Sequence, residues 1–249
     1  MTQLLVSVRN VDEAIAAVEG GADIIDVKEP NRGSLGCAAP DVILAITDAL
    51  SRIKVAKPPL SLALGELHEW QCSDLTSLRC AIQYAAPQFL KLGLADACTV
   101  PATVSWVAEW QQVRATIPGN HEWVAVAYAD AEQARSPGIE LVLDAAIEGG
   151  CRVLLIDTHT KNGKSLLDQM SLNSLQAIRG TTQEHGLKLA LAGSVRKSDL
   201  PQLLSIHPDI IAVRGAVCAH GDRTAAVCKN LVQEIRTAIT QGQRSEGSV

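Results

Sequence analysis

The sequence predicts an α/β protein built as one (β/α)8 barrel, and three observations carry that expectation. Eight short apolar runs each lead into a polar loop and then a segment with helical periodicity or a helix-start signal. The chain has 249 residues, the usual size of one such barrel and enough to bury a sizeable core. The stretch EGGADIIDVKEPNRGSLG at 19–36 is echoed by EGGCRVLLIDTHTKNGKSLLD at 148–168, from the second run to the sixth. An offset of four units is expected if one half of a barrel resembles the other. A doubly wound sheet is the alternative for alternating strands and helices; strand number, length and internal offset together favour the barrel.

In order, LLVSV (4–8) leads into a helical segment at 12–20, and ADIIDV (22–27) into one at 41–53. LSLALG (60–65) is followed by 74–84, FLKLGL (89–94) by 100–117, and EWVAVAY (122–128) by 139–149. RVLLID (152–157) precedes 172–185, KLALAG (188–193) precedes the shortest crossover at 198–205, and IIAVRG (210–215) precedes 222–240. The barrel is therefore read as 1–240. The polar, Gly/Ser-rich segment QGQRSEGSV at 241–249 is expected to be a disordered tail.

Composition narrows the function. Hydrophobic residues make up 47% of the chain but only four Trp, two Tyr and one Phe are aromatic, so the core is Ala, Leu, Ile and Val, as in parallel sheets and their covering helices. A net charge of -5 gives no general attraction to nucleic acid, and no basic run is interleaved with aromatics. An anionic ligand must be held by a local pocket. The cysteines (Cys37, Cys72, Cys80, Cys98, Cys151, Cys218, Cys228) are scattered without a C-x-x-C pair, which reads as reduced thiols of a cytoplasmic protein and not as a zinc site. The N-terminus MTQLLVSVRN enters a strand directly, and no run of about 18 apolar residues marks a membrane span. No metal and no cofactor are expected; barrels often associate, so a homo-oligomer stays open.

In such a barrel chemistry sits at the C-terminal ends of the strands. Those ends carry Ser7 and Arg9, Asp26 with Lys28 and Glu29, Glu66 and His68, Asp130, Asp157 with His159 and Lys161, Gly193 and Ser194, and Arg214 with Gly215 and Ala216. Lys91 lies inside an apolar strand, where a charged amine is costly unless paired. Either a buried carboxylate holds it within the packing, or burial and nearby cations lower its pKa and free it as a base or nucleophile. Lys28 and Lys161 occupy matched places in the echoed loops. Three lysines in one pocket, with Asp157 and its counterpart Asp26, suit carbinolamine and imine chemistry on a carbonyl substrate. The glycines after the seventh and eighth strands, Gly193 and Gly215, let backbone amides approach an oxyanion, with Arg214 or Arg196 supplying charge. These two loops favour a phosphorylated substrate. NGKS at 162–165 is no P-loop, because the required earlier glycine is Thr158.

The segments LLVSVRNVDEAIAAVEGGADIIDVKEPNRGSLG, FLKLGL, LLIDTHTKNGKSLLD, LALAGSV and IIAVRGAVC resemble, in order and spacing, the (5-formylfuran-3-yl)methyl phosphate synthase family, from about residue 4 to 235. The resemblance implies a TIM barrel that condenses two molecules of glyceraldehyde 3-phosphate, with loss of phosphate and water, for methanofuran-type one-carbon carriers. It also implies Lys28 as the Schiff-base lysine, Lys91 as general base, and Asp157 and Lys161 as further catalytic groups, although Lys161 is chemically able to hold the imine. The partner is then a small phosphorylated triose, with Arg9 or Arg32 as a second cationic corner. Rival readings are a Schiff-base aldolase for another sugar phosphate, a barrel carrying pyridoxal phosphate on one of these lysines, and a phosphate-binding barrel without turnover.

Overall fold

The computed structural model describes residues 1–53, 57–70, 75–98 and 105–246. Strands β1 (Gln3–Val8), β2 (Ile24–Val27), β3 (Leu60–Glu66), β4 (Phe89–Gly93), β5 (Glu122–Tyr128), β6 (Val153–Asp157), β7 (Lys188–Leu191) and β8 (Ile210–Val213) pair in parallel in sequence order. The β1–β8 pairing closes the barrel. Around it run α1 (Val11–Glu19), α2 (Pro40–Ser51), α3 (Thr76–Ala85), α4 (Trp106–Ala115), α5 (Ala131–Ala134), α6 (Ile139–Glu148), α7 (Leu166–Gln169), α8 (Leu172–Glu184), α9 (Leu200–Leu204) and α10 (Lys229–Glu246). Every expected strand is present within two residues of its expected ends. The short helices α5 and α7 were not legible, being single turns without a periodic pattern.

Two expectations about helices change. The final helix starts at Lys229, not near Asp222, because residues 215–228 form short 3-10 turns and a Cys218–Val227 bridge instead. The same helix runs through Glu246, into the segment expected as a tail. Positions 74, 100–104 and 247–249 of the expected elements, and Cys72, lie outside the described residues; the other six cysteines are free thiols.

Successive side chains of a strand face opposite ways, and this alternation sorts the barrel. Leu4, Val6, Ile25, Val27, Leu90, Leu92, Leu154 and Ile156 pack outward under the helices. Leu5, Ile24, Phe89, Val153, Leu155, Ala190 and Ile210 form a separate inner cluster. Followed toward the strand C-termini, the inward register passes from these apolar groups to Ser7, Asp26, Lys91, Asp157 and Arg214, all buried. The apolar plug is thus a floor for a polar mouth.

The Glu-Gly-Gly echo has a structural cause. Gly20, Gly21 and Ala22 donate to the carbonyls of Ala16, Val18 and Ala17, and Gly149, Gly150 and Cys151 repeat the pattern on Ala145, Ile147 and Ala146. Both are helix-ending Schellman-type turns that feed β2 and β6, and their second glycine adopts a φ of 91° or 65°, where a side chain is strained.

Candidate active site

Two carboxylates organise three lysines at the mouth. Lys91 Nζ lies 2.6 Å from Asp26 Oδ1, and Ser7 Oγ donates to Asp26 Oδ2 at 2.9 Å. Lys161 Nζ lies 3.1 Å from Asp157 Oδ1 and donates to the carbonyl and hydroxyl oxygens of Thr158. Its loop is held by Asp130, which accepts from the amides of His159 and Thr160 at 2.7 and 2.8 Å. Lys28, between the two pairs, has no carboxylate within ion-pair distance among the described residues; its Nζ donates to the Ser34 carbonyl at 3.1 Å. The Ser34 hydroxyl lies 2.9 Å from Asp157 Oδ2 and 3.0 Å from the Thr158 carbonyl. Ser34 therefore ties Lys28 to Asp157.

This arrangement separates the groups by charge. Burial pushes the Lys28 amine down to about 7, with Lys91 and Lys161 acting in the same direction against the attraction of Asp157 and Asp26. Burial would raise Asp157, but Lys161 and Lys28 outweigh it and hold the carboxyl at about 2. Asp26 likewise stays below the ordinary carboxylate value, burial being overcome by Lys91 and Lys28. An amine poised near neutrality beside two ionised carboxylates is an arrangement that can supply a nucleophile.

These groups line a cavity of about 480 Å³ that also takes in Gly193, Ser194, Gly215 and Ala216. Gly193 adopts a φ of 95° and Ser194 one of 48°. The amides of all four residues have no acceptor among the described residues. The two loops thus bring backbone donors without an acceptor among the described residues to the lining of one cavity, where an oxyanion can use them.

Arg214 departs from the expected arrangement. Its Nη1 donates to Ser7 O and Glu13 Oε2, its Nη2 to Glu13 Oε1 and Ala225 O, and its Nε to Arg223 O. All five N–H groups are occupied, so none faces a phosphate. Arg9 pairs with Glu13 at 3.3 Å and Arg32 donates to Cys37 O; neither lines the cavity. Glu66, His68 and His159 also lie outside it. Glu66 accepts instead from Tyr128 Oη and the Ala95 amide, with the His159 ring edge-on to Tyr128 at 5.2 Å. Among the described residues no cluster of three or more His, Cys, Asp or Glu is placed to hold a metal, and no helix is long and apolar enough to cross a membrane. Sequence reasoning missed Ser34 and Arg223. Ser34 sits in the echoed loop after β2 and Arg223 in the loop after β8, and neither carries a sequence sign of its contacts.

Residues 4–236 match the family model described as 4-HFC-P synthase. The chain belongs to the 4-HFC-P synthase family. Relatives named (5-formylfuran-3-yl)methyl phosphate synthase include one from Methanococcus maripaludis strain C5, 35% identical over 233 residues that cover 93% of this chain and 97% of that one. Another, from Methanopyrus kandleri, is 34% identical over 238 residues, covering 95% and 98%. Among solved structures, 3-hexulose-6-phosphate synthase from Salmonella typhimurium superposes with a TM-score of 0.64 at 15% identity, covering 97% of this chain and all of that one. A phosphoribosyl anthranilate isomerase gives 0.61 at 13%, covering 96% and 98%. With these two the chain shares the barrel fold.

Proposed function

We propose that this protein is a (5-formylfuran-3-yl)methyl phosphate synthase that joins two molecules of glyceraldehyde 3-phosphate through an imine on Lys28. The observation that carries the reading is the Lys28 amine, buried, near neutral pKa, and tied by Ser34 to an ionised Asp157. The family membership supports the product.

The Lys28 amine attacks the carbonyl carbon of one triose phosphate, and the carbinolamine loses water to give a protonated imine. Loss of the proton on the neighbouring carbon sends the electron pair into the imine, making an enamine. That enamine carbon forms the new carbon–carbon bond with the aldehyde of the second triose. Lys91 and Lys161, each anchored on a carboxylate, carry protons to and from the reacting oxygens and carbons. Asp157 stabilises the iminium charge. Ring closure, dehydration and departure of one phosphate, with the C–O electron pair leaving on the phosphate oxygen, give the furan. The whole conversion releases one phosphate and two waters from two trioses, and hydrolysis of the imine frees Lys28. The amides of Gly193, Ser194, Gly215 and Ala216 hold a phosphate, and the product is the furan unit of a methanofuran-type carrier.

The test is incubation with glyceraldehyde 3-phosphate, an ultraviolet scan for a furan aldehyde, and borohydride reduction of a parallel sample for peptide mass mapping. A furan product with the adduct on Lys28 is expected. An adduct on Lys161 would move the imine, and a different sugar phosphate product would make the protein an aldolase of another kind.

A further inference from the structure

The cations around the cavity are nearly all committed elsewhere. Arg214 has no N–H left, Arg196 donates to the Gly163 carbonyl and sits 3.5 Å from Asp168, and Lys197 is bonded to Glu234 at 2.8 Å. The three lysines belong to the carboxylate cluster. Arg223 is the exception. It lines the cavity, is half-buried, and donates a single bond, from Nη2 to the Gly33 carbonyl at 2.8 Å. It has no carboxylate within ion-pair distance among the described residues, so four of its five N–H groups have no acceptor there.

The backbone that carries it is fixed from behind. Arg214 Nε donates to the Arg223 carbonyl, and Arg214 is itself held by Glu13 of α1 through two bonds. The loop that bears Arg223 begins at Gly215 and Ala216, which line the same cavity and whose amides have no acceptor among the described residues. Its bond to Gly33 reaches the loop that carries Ser34 and follows Lys28, so Arg223 spans the mouth from the eighth strand to the second.

We infer that Arg223 is the guanidinium that receives a substrate phosphate, completing the amide cradle after β7 and β8, while Arg214 is a positioning residue behind it. The inference rests on the proposed phosphorylated substrate. A phosphate accepts two parallel N–H bonds from an arginine fork, and the bond to Gly33 can persist while it does so. A phosphate so held bridges the two loops and brings the triose carbonyl toward Lys28.

The experiment is calorimetric titration of inorganic phosphate, at constant ionic strength, into the wild type, Arg223→Ala and Arg223→Lys, with melting temperatures and steady-state kinetics on glyceraldehyde 3-phosphate. In Arg223→Ala the phosphate affinity should fall by about tenfold or more, with a parallel rise in KM and an unchanged melting temperature. Arg223→Lys should recover part of the affinity, since it keeps the charge and loses the fork. If Arg223→Ala fails to fold, Arg223→Lys decides: a folded variant with weaker phosphate binding supports the inference, and wild-type affinity overturns it. Undiminished phosphate affinity in a folded Arg223→Ala, with an active wild type, overturns this inference alone. A folded wild type that neither binds phosphate nor turns over the triose overturns it together with the proposed function.

Discussion

Lys28 changes charge near neutrality, with its amine pushed down to about 7. Below that value it is mostly the ammonium ion, which cannot attack a carbonyl; above it the free amine dominates. Borohydride trapping with glyceraldehyde 3-phosphate should therefore accelerate about tenfold per unit at acid pH and level off above about pH 8. A trapping rate that keeps climbing past pH 9 would identify an ordinary lysine and sink the assignment. At this scale the sequence was informative about position and named Asp26 and Asp157 as companions of the lysines without saying which pairs with which. A lysine within β4 was plain to see, but Asp26 standing 2.6 Å from it was not. Equally hidden was Ser34, whose bond to Asp157 joins residues 123 apart; a serine in a loop carries no pattern that announces such a contact.

Strands and loops differ in how far the chain betrays them. Strands buried on both faces are mostly apolar, so all eight were legible even with Ser7, Asp26, Lys91 and Asp157 among their residues. The loop after β8 was not, and Asp222 shows why. As an acidic residue ahead of an apolar pattern it reads as a helix start, yet its carboxylate accepts from the Thr224 amide and hydroxyl at 2.8 and 2.7 Å and makes a turn. The helix is deferred to Lys229, and the intervening chain carries Arg223 over the mouth. The loop after β7 offers a direct test. A Cβ on Gly193 would stand 2.9 Å from Thr158 Cγ2 at a φ of 95°. Gly193→Ala should cost about 1–3 kcal/mol in chemical denaturation and weaken phosphate titration; retention of both stability and affinity would show that this glycine has no such role.

The whole molecule is fastened where its ends meet. Glu13 on α1 and Arg214 beyond β8 form a buried pair 201 residues apart in the chain, at 2.8 Å. Glu13→Gln would leave the guanidinium charge buried without its carboxylate, so unfolding should become easier by roughly 3–5 kcal/mol, read as a lower melting temperature. An unchanged melting temperature would mean that water replaces the lost partner. The resemblance between the halves was visible as an echo, whereas their division of labour was not: Lys28, Ser34, Asp26 and Lys91 come from the first half, and Asp157, Lys161 and the amide cradle from the second. Such sharing makes reactivity a property of the closed molecule. An extended chain offers Lys28 at its ordinary value of 10.5, against about 7 once enclosed, a difference on the order of a thousandfold in free amine at neutral pH. Withholding that free amine until the barrel closes is thus also a safeguard against sugar damage. Copies still being made, or copies that have lost their shape, meet reactive aldehydes with no better nucleophile than any other protein offers.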